Sequence, residues 1–187
     1  MLRITGGKFR GRVIHAPQSN KTRPSQSRLR QALFNSLQLY IPDARVLDLF
    51  AGSGALGFEA LSRGATHVTF VESNRPAIKI IEKNIETLAV RDEVKILSES
   101  VDASFSHLKK FGPFDVVLAD PPYEEGWELR LLNEVPWSEI LVREGYFCLE
   151  WGVQKSEVAE LPDEVQCLVK VREKNYGDSV LTTYQYK

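Results

Sequence analysis

Arg45-Val-Leu-Asp-Leu-Phe50 runs directly into Gly52-Ser-Gly-Ala-Leu-Gly57 and then into a helical stretch through about Ser62. No other junction in the chain restricts the fold so tightly. A nearly continuous apolar strand is buried on both faces, which calls for a parallel sheet covered by helices. Parallel neighbours must be joined by crossovers of a dozen or more residues, usually helical. The same rhythm continues. Strands are predicted at His67–Glu72, Val94–Leu97, Phe114–Ala119 and Tyr146–Glu150. Between them, Asn74 is placed as an N-cap with Pro76 in the first turn, and Ile78, Ile81, Ile85 and Leu88 stripe the following helix. Further helices are expected at Asp102–Phe111 and Trp127–Val135.

After Leu161 the pattern changes: Val165–Arg172 and Ser179–Tyr186 read as strands joined by the turn signal Asn175-Tyr-Gly-Asp178. The fold class is therefore α/β. The expected architecture is a mostly parallel, doubly wound, seven-stranded sheet ending in an antiparallel hairpin, with one reversed edge strand. In front of it, Arg3 to Ile14 suggests a small β-hairpin carrying Gly6, Gly7 and Gly11, and Lys21 to Gln26 a loop around Pro24. Leu29, Leu33 and Leu37 then predict an amphipathic helix from about Ser25 to Tyr40. Residues 1–42 form the extension and 43–187 the main domain.

Charge sharpens that division. The 187 residues have a formal net charge of −1, yet the first 42 contain eight basic residues and no acid. An acid-free segment of this kind suits a polyanion. Phe9 among Lys8, Arg10 and Arg12, followed by Arg23, Arg28 and Arg30, fits phosphate contacts with an aromatic available for stacking. Cys148 and Cys167 lie in apolar runs, no His/Cys cluster has metal-ligand spacing, and no stretch resembles a signal or a membrane span. The expectation is a cytoplasmic, soluble chain without metal or membrane partner.

Two turns carry the chemistry. Gly52-x-Gly54-x-x-Gly57, between strand and helix, lets backbone N–H groups approach a ligand at a helix N-terminus. Glu72, at the end of the next strand, stands where a carboxylate chelates ribose hydroxyls. Both features suit a dinucleotide as well as an adenosyl ligand. Asp48 separates them: a carboxylate there repels a pyrophosphate and attracts an ammonium or sulfonium, which favours S-adenosylmethionine. Asp48 can also serve simply as an acceptor for the following loop.

The second turn is Asp120-Pro121-Pro122-Tyr123, after the fourth strand. Two prolines remove N–H donors and stiffen the backbone. A carboxylate, a rigid carbonyl and an aromatic face suit a planar base with an exocyclic amine, Asp120 and the Pro121 carbonyl accepting from the amine while Tyr123 stacks. Trp127, Trp137 and Trp151 read as packing residues, and Glu150 as either a structural ion pair or part of recognition.

These motifs resemble the class I S-adenosylmethionine-dependent methyltransferases, whose fold is Rossmann-like. Arg3-Ile-Thr-Gly-Gly-Lys-Phe-Arg-Gly-Arg12, Thr22-Arg-Pro-Ser-Gln-Ser-Arg-Leu-Arg30, Ala32-Leu-Phe-Asn35 and Lys174-Asn-Tyr-Gly177 extend the likeness over essentially the whole chain. They resemble the bacterial 16S ribosomal RNA guanine-N2 methyltransferases, the small-subunit methyltransferase D family. That resemblance implies that Asp48, Phe50, Ala51, Gly52, Ser53, Gly54, Glu72 and Ser73 hold S-adenosylmethionine, with Asp102 or its neighbours near the adenine. It implies that Asp120 to Tyr123 hold the flipped guanine. Arg3, Lys8, Phe9, Arg10, Arg12, Arg23, Arg28 and Arg30 would grip 16S rRNA within an assembling 30S subunit, the enzyme acting as a monomer. The family has Thr and Asp where this chain has Ser25 and Ser27, so here that segment offers no carboxylate. The turn residues alone also fit an N6-adenine methyltransferase acting on RNA or DNA. A non-catalytic RNA-binding assembly factor and, more weakly, a nicotinamide oxidoreductase are the remaining readings.

Overall fold

The computed structural model describes residues 1–17, 24–123, 125–152 and 160–187. In chain order the elements are β1 (Leu2–Arg3), β2 (Val13–Ile14), α1 (Pro24–Ser36), β3 (Arg45–Leu49), α2 (Ala55–Ser62) and β4 (His67–Val71). Next come α3 (Arg75–Leu88), β5 (Val94–Leu97), α4 (Val101–Ser104), β6 (Phe114–Ala119), α5 (Trp127–Glu134) and α6 (Trp137–Ile140). The chain closes with β7 (Leu141–Trp151), β8 (Glu164–Val165), β9 (Leu168–Tyr176) and β10 (Ser179–Tyr186).

The main sheet runs β5-β4-β3-β6-β7-β10-β9-β8, with β3 to β7 mutually parallel. It has eight strands rather than seven, because Gln166 (φ 52°) breaks the expected Val165–Arg172 strand into β8 and β9. Two strands are reversed rather than one: β10, inserted antiparallel between β7 and β9, and the two-residue edge strand β8, antiparallel to β9. Burial explains the placement. The side chains from Val180 to Gln185 are all buried, whereas β9 carries Lys, Arg and Glu and takes the outer position.

Alternation along each strand divides the core in two. Val46, Val68, Phe70, Val116 and Leu118 pack under α1, α2 and α3, while Leu47, Leu49, Val117, Phe147 and Leu149 pack under α4, α5 and α6. Ile4, Ile14, Leu33, Phe34 and Leu37 of the extension belong to the first of these cores. Fully buried Asn84 bonds both the His15 backbone and the Ser53 carbonyl, tying the hairpin to the glycine turn.

Other differences have local causes. The predicted Asp102–Phe111 helix reduces to α4 and a 3-10 turn at Leu108–Lys110. Ser104 Oγ and Ser106 Oγ donate to the carbonyls three residues back, competing with the helical ladder. Helix α1 begins at Pro24, where a loop was expected, and stops at Ser36; Lys21 and Arg23 lie outside the described residues. β7 begins five residues before Tyr146, passing through Glu144 (φ 63°) and a register shift. The Asn74 cap is as expected, its Oδ1 accepting from Ala77 N at 3.0 Å.

Candidate active site

β3 and β6 are adjacent parallel strands, Leu49 pairing with Ala119, so the turns that follow them lie side by side at the carboxyl edge of the sheet. After β3 the backbone turns left-handed at Phe50 (φ 59°), Gly52 (φ 56°) and Gly54 (φ 76°). At Gly54 a β-carbon would stand 2.6 Å from the Phe58 ring, and at Gly57 it would overlap the Phe70 ring. The second and third glycines therefore let α2 start sharply and pack directly on β4.

Asp48 is buried, and its two oxygens differ. Oδ2 accepts from Gly57 N at 2.9 Å and so satisfies the start of α2, while Oδ1 is buried without a partner among the described residues. Asp48 is thus an acceptor for the following loop, and one of its oxygens is left uncompensated. Burial, opposed by the Gly57 N–H and reinforced by the charge of Glu72, pushes its carboxyl up to about 8. Glu72 bridges the two nearby turns, Oε2 accepting from Gly52 N at 2.8 Å and Oε1 from Asn74 N at 2.7 Å.

On the other side, Asp120 is solvent-exposed at the wall of the cleft, with protein atoms packed closely around it. That desolvation, then the charges of Glu150 and Asp48, raises its pKa well above the carboxylate range. Pro121 is buried and Pro122 exposed. The Tyr123 hydroxyl donates to Glu150 Oε1 at 2.9 Å and shares a hydrogen bond with Ser179 Oγ at 2.9 Å. Its ring lies against Gly152, where a β-carbon would come within 2.9 Å. Desolvation followed by the Glu150 charge raises the phenol's pKa. Glu150 is also raised by burial, and its partners are Tyr123 and Ser179 rather than a cation. Among the described residues no Lys or Arg forms an ion pair with Asp48, Asp120 or Glu150.

A cleft of roughly 370 Å³ joins the two turns, lined by Phe50, Glu72, Ser73, Ser100, Val101, Asp120, Pro122, Glu125 and Trp127, with Val71 at its base. Ala51 and Ser53 are buried behind it. Asp102 is not in this lining. It is exposed, 3.8 Å from Arg130, and the Ser100 hydroxyl is the first of the contacts that lower its pKa. Its neighbours Ser100 and Val101 take the place expected for it, because the first turn of α4 aims Asp102 outward. Trp127 is the residue that sequence reasoning assigned to packing alone. Its ring meets Phe50 edge-on at 4.8 Å, its indole N–H donates to Glu125 Oε2 at 2.9 Å, and Arg130 covers it at 4.1 Å. An aromatic opening the helix just beyond the Asp-Pro-Pro-Tyr turn was the available signal. Trp137 and Trp151 are packing residues, fully inside the core.

The basic extension is less open than its composition suggests. Arg30 is 6% exposed; its Nη2 donates to the Arg3 carbonyl at 2.8 Å and its Nε lies 3.5 Å from Glu59. Glu59 is fully buried and also receives Thr5 N, the Thr5 hydroxyl and Arg63. Arg30 therefore locks the hairpin to α2 and is withdrawn from the surface, which corrects its expected place in RNA contact. Arg3 donates to the Gly11 carbonyl, Lys8 pairs with Glu93 at 3.4 Å, and Arg12 donates to the Thr87 carbonyl at 2.6 Å. Lys8 and Arg12 flank the Phe9 ring. Arg10 and Arg28 are exposed. Arg23 lies outside the described residues.

Comparison with known proteins gives the family. A family model described as Conserved hypothetical protein 95 matches residues 2–185. Ribosomal RNA small subunit methyltransferase D of Escherichia coli K12 is 40% identical over 140 residues, covering 73% of this chain and 69% of its own. The chain belongs to this methyltransferase family. The YlbH protein of Bacillus subtilis is 32% identical over 185 residues, 98% of each chain. The solved yhhF protein of E. coli superposes on the methyltransferase-family fold seen here with a TM-score of 0.86 at 33% identity, over 100% of this chain and 98% of that one. The match includes the N-terminal extension, so the hairpin and α1 are part of the family architecture. Among the described residues no helix is long and apolar enough to cross a membrane.

Proposed function

We propose that this protein transfers a methyl group from S-adenosylmethionine to the exocyclic N2 amine of a guanine in small-subunit ribosomal RNA, acting on an assembling particle. The observation that carries this reading is the cleft joining the two turns, with Phe50, Glu72 and Ser73 on one side, Asp120 and Pro122 on the other, Asp48 buried next to it with an unpartnered oxygen, and, among the described residues, no Lys or Arg paired with Asp48 or Asp120. Such a cleft suits a cationic methyl donor carrying no phosphate. The residues fit it in detail: Asp48 leaves one buried oxygen for a cation, and Glu72 sits where ribose hydroxyls would arrive, flanked by Ser73. The Phe50 and Trp127 walls, with Ser100 and Val101, suit a planar heterocycle. When bound, S-adenosylmethionine supplies an electrophilic methyl on a sulfonium for in-line displacement.

The chain's own contribution is orientation and proton handling. Asp120 and the Pro121 carbonyl accept from the amine, relieving its conjugation into the ring as the nitrogen becomes tetrahedral, and Asp120 receives the proton lost from it. Tyr123, with its hydroxyl fixed by Glu150 and Ser179, presents a ring that cannot swing, against which the base stacks. Guanine is favoured over adenine because its edge offers adjacent N1–H and N2–H donors. Adenine carries an N1 acceptor where guanine carries N1–H, so it offers one donor position fewer to the acceptors of the Asp120–Pro121 turn. Positioning of this kind can supply several kcal/mol of the barrier reduction.

The test uses the purified protein, labelled S-adenosylmethionine and unmodified 16S rRNA or small subunits, followed by nucleoside mass analysis. N2-methylguanosine is the expected product. N6-methyladenosine would replace the guanine reading, and absence of S-adenosylmethionine binding in calorimetry would remove the enzymatic one.

A further inference from the structure

Four of the extension's six described cations are engaged in its own attachment, yet two others stand free elsewhere among the described residues. Arg172 and Lys174 on β9 are exposed and, among the described residues, make no ion pair or side-chain hydrogen bond. They face a groove of roughly 290 Å³ between β9 and α1, whose other lining includes Asn35 and Tyr176.

A bulge sets this direction. In the β9–β10 ladder Thr183 pairs with Arg172 and Tyr184 with Lys170, so Val171 is skipped. Lys170 consequently falls on the opposite face, beside Glu173 and Asp163. Arg172, Lys174 and Tyr176, each two residues apart, share the face toward α1. The two cations are thus separated from the acids that neutralise their neighbour.

The stripe also points at the active site. Tyr176 pairs across the turn with Ser179, and Ser179 bonds the Tyr123 hydroxyl. Helix α1 is aligned with it: Tyr40, just past its C-terminal end, packs at 4.4 Å on Tyr146, far along β7 from Glu150. The N-terminal end of α1 therefore lies toward the catalytic edge. Exposed Arg28 is there, one helical turn before the groove residue Ala32 on the same face.

We infer that this groove is the track for the RNA strand flanking the target nucleotide, with Arg172 and Lys174 on successive phosphates, Tyr176 against a neighbouring base and Arg28 closing the path at the cleft. The inference rests on the rRNA reading above and names the surface that reading requires. Strand residues two apart present side chains about 6.8 Å from each other, a spacing suited to an extended single strand. Asn35 adds an uncharged polar group to the opposite wall.

The test compares wild type, the double variant Arg172→Gln/Lys174→Gln and the equal-charge control Lys95→Gln/Lys110→Gln. The control pair lies in a depression at the starts of the parallel strands, at the edge opposite the catalytic turn. Binding of a short fluorescein-labelled single-stranded RNA is followed by anisotropy across a salt series. Calorimetry with S-adenosylmethionine verifies the fold of each protein. Loss of two phosphate contacts should lower the salt slope by about 1.4 and weaken binding about 25-fold at 0.1 M salt. S-adenosylmethionine affinity should not change, and the control should bind RNA as wild type does. Wild-type RNA affinity and slope in the groove variant, or equal loss in the control, would overturn the assignment. A wild-type protein that binds S-adenosylmethionine but neither binds nor methylates RNA would instead refute the functional reading itself.

Discussion

Asp48 offers a perturbation whose sign depends on pH and on ligand. Its carboxyl titrates near 8 in the folded chain, against about 3.9 when unfolded. Between those values the folded protein holds a proton that the unfolded chain has released. The stability this proton provides is complete below about pH 4, drains away as pH rises, and is gone above about 8. Four units correspond to at most about 5 kcal/mol. In Asp48→Asn the amide oxygen can still accept from Gly57 N, but an N–H is left where Oδ1 had no partner, at a cost of about 1–3 kcal/mol. The net expectation at pH 9 is a variant more stable than wild type by about 3 kcal/mol, or about 6–12 °C in Tm for a chain of this length. At pH 5 the wild-type carboxyl is protonated and close to the amide in shape and charge, so the difference should shrink to about 1 kcal/mol or less. Thermal unfolding without ligand at pH 5, 7 and 9 measures this directly. The same variant should bind S-adenosylmethionine about 10- to 100-fold more weakly, since a charge-assisted contact is worth about 1.5–3 kcal/mol. A Tm difference that stays constant from pH 5 to 9 would refute the view of Asp48 as an uncompensated buried acid.

The other substitutions separate chemistry from architecture. Asp120→Ala should lower kcat by about 100-fold or more while leaving S-adenosylmethionine affinity within a few-fold; equal losses in steady-state kinetics and calorimetry would contradict its role on the amine. Tyr123→Phe removes the hydroxyl that engages Glu150 and Ser179 and should cost about 1–2 kcal/mol in denaturant unfolding. Its RNA-dependent kcat should fall less than that of Tyr123→Ala, which also loses stacking worth about 1–3 kcal/mol. Glu59→Ala strands Arg30 and Arg63 at the junction of hairpin and α2 and should destabilise by about 3–5 kcal/mol, with early proteolysis between β2 and α1. A folded variant with wild-type protease resistance would show that this junction does not anchor the extension.

The strands that position the cleft were readable because β3, β4 and β6 are short apolar runs bounded by turn residues, and because Asn74 and Pro76 mark a helix start by local chemistry alone. Long-range relations were not readable. Nothing near Arg30 in the sequence points to Glu59, its partner inside the core, so counting cations overstated the open charge of the first 42 residues. Regular alternation would have put Lys170 and Arg172 on one face; the bulge at Val171, which the sequence does not announce, separates them and so creates the groove's unpaired stripe. Asp102 and Ser100 differ by two positions, and only the pitch of α4 decides which of them faces the cleft. The dual state of Asp48 likewise depends on which of its oxygens meets Gly57, a matter of packing rather than pattern.

The most direct test of the central claim is mass spectrometry of nucleosides from 16S rRNA in cells with and without this chain, and with Asp120→Ala in its place. The account predicts that N2-methylguanosine at one site disappears in the deletion, returns with the wild-type chain and fails to return with Asp120→Ala. An unchanged N2-methylguanosine content in the deletion, or its full restoration by Asp120→Ala, would contradict it.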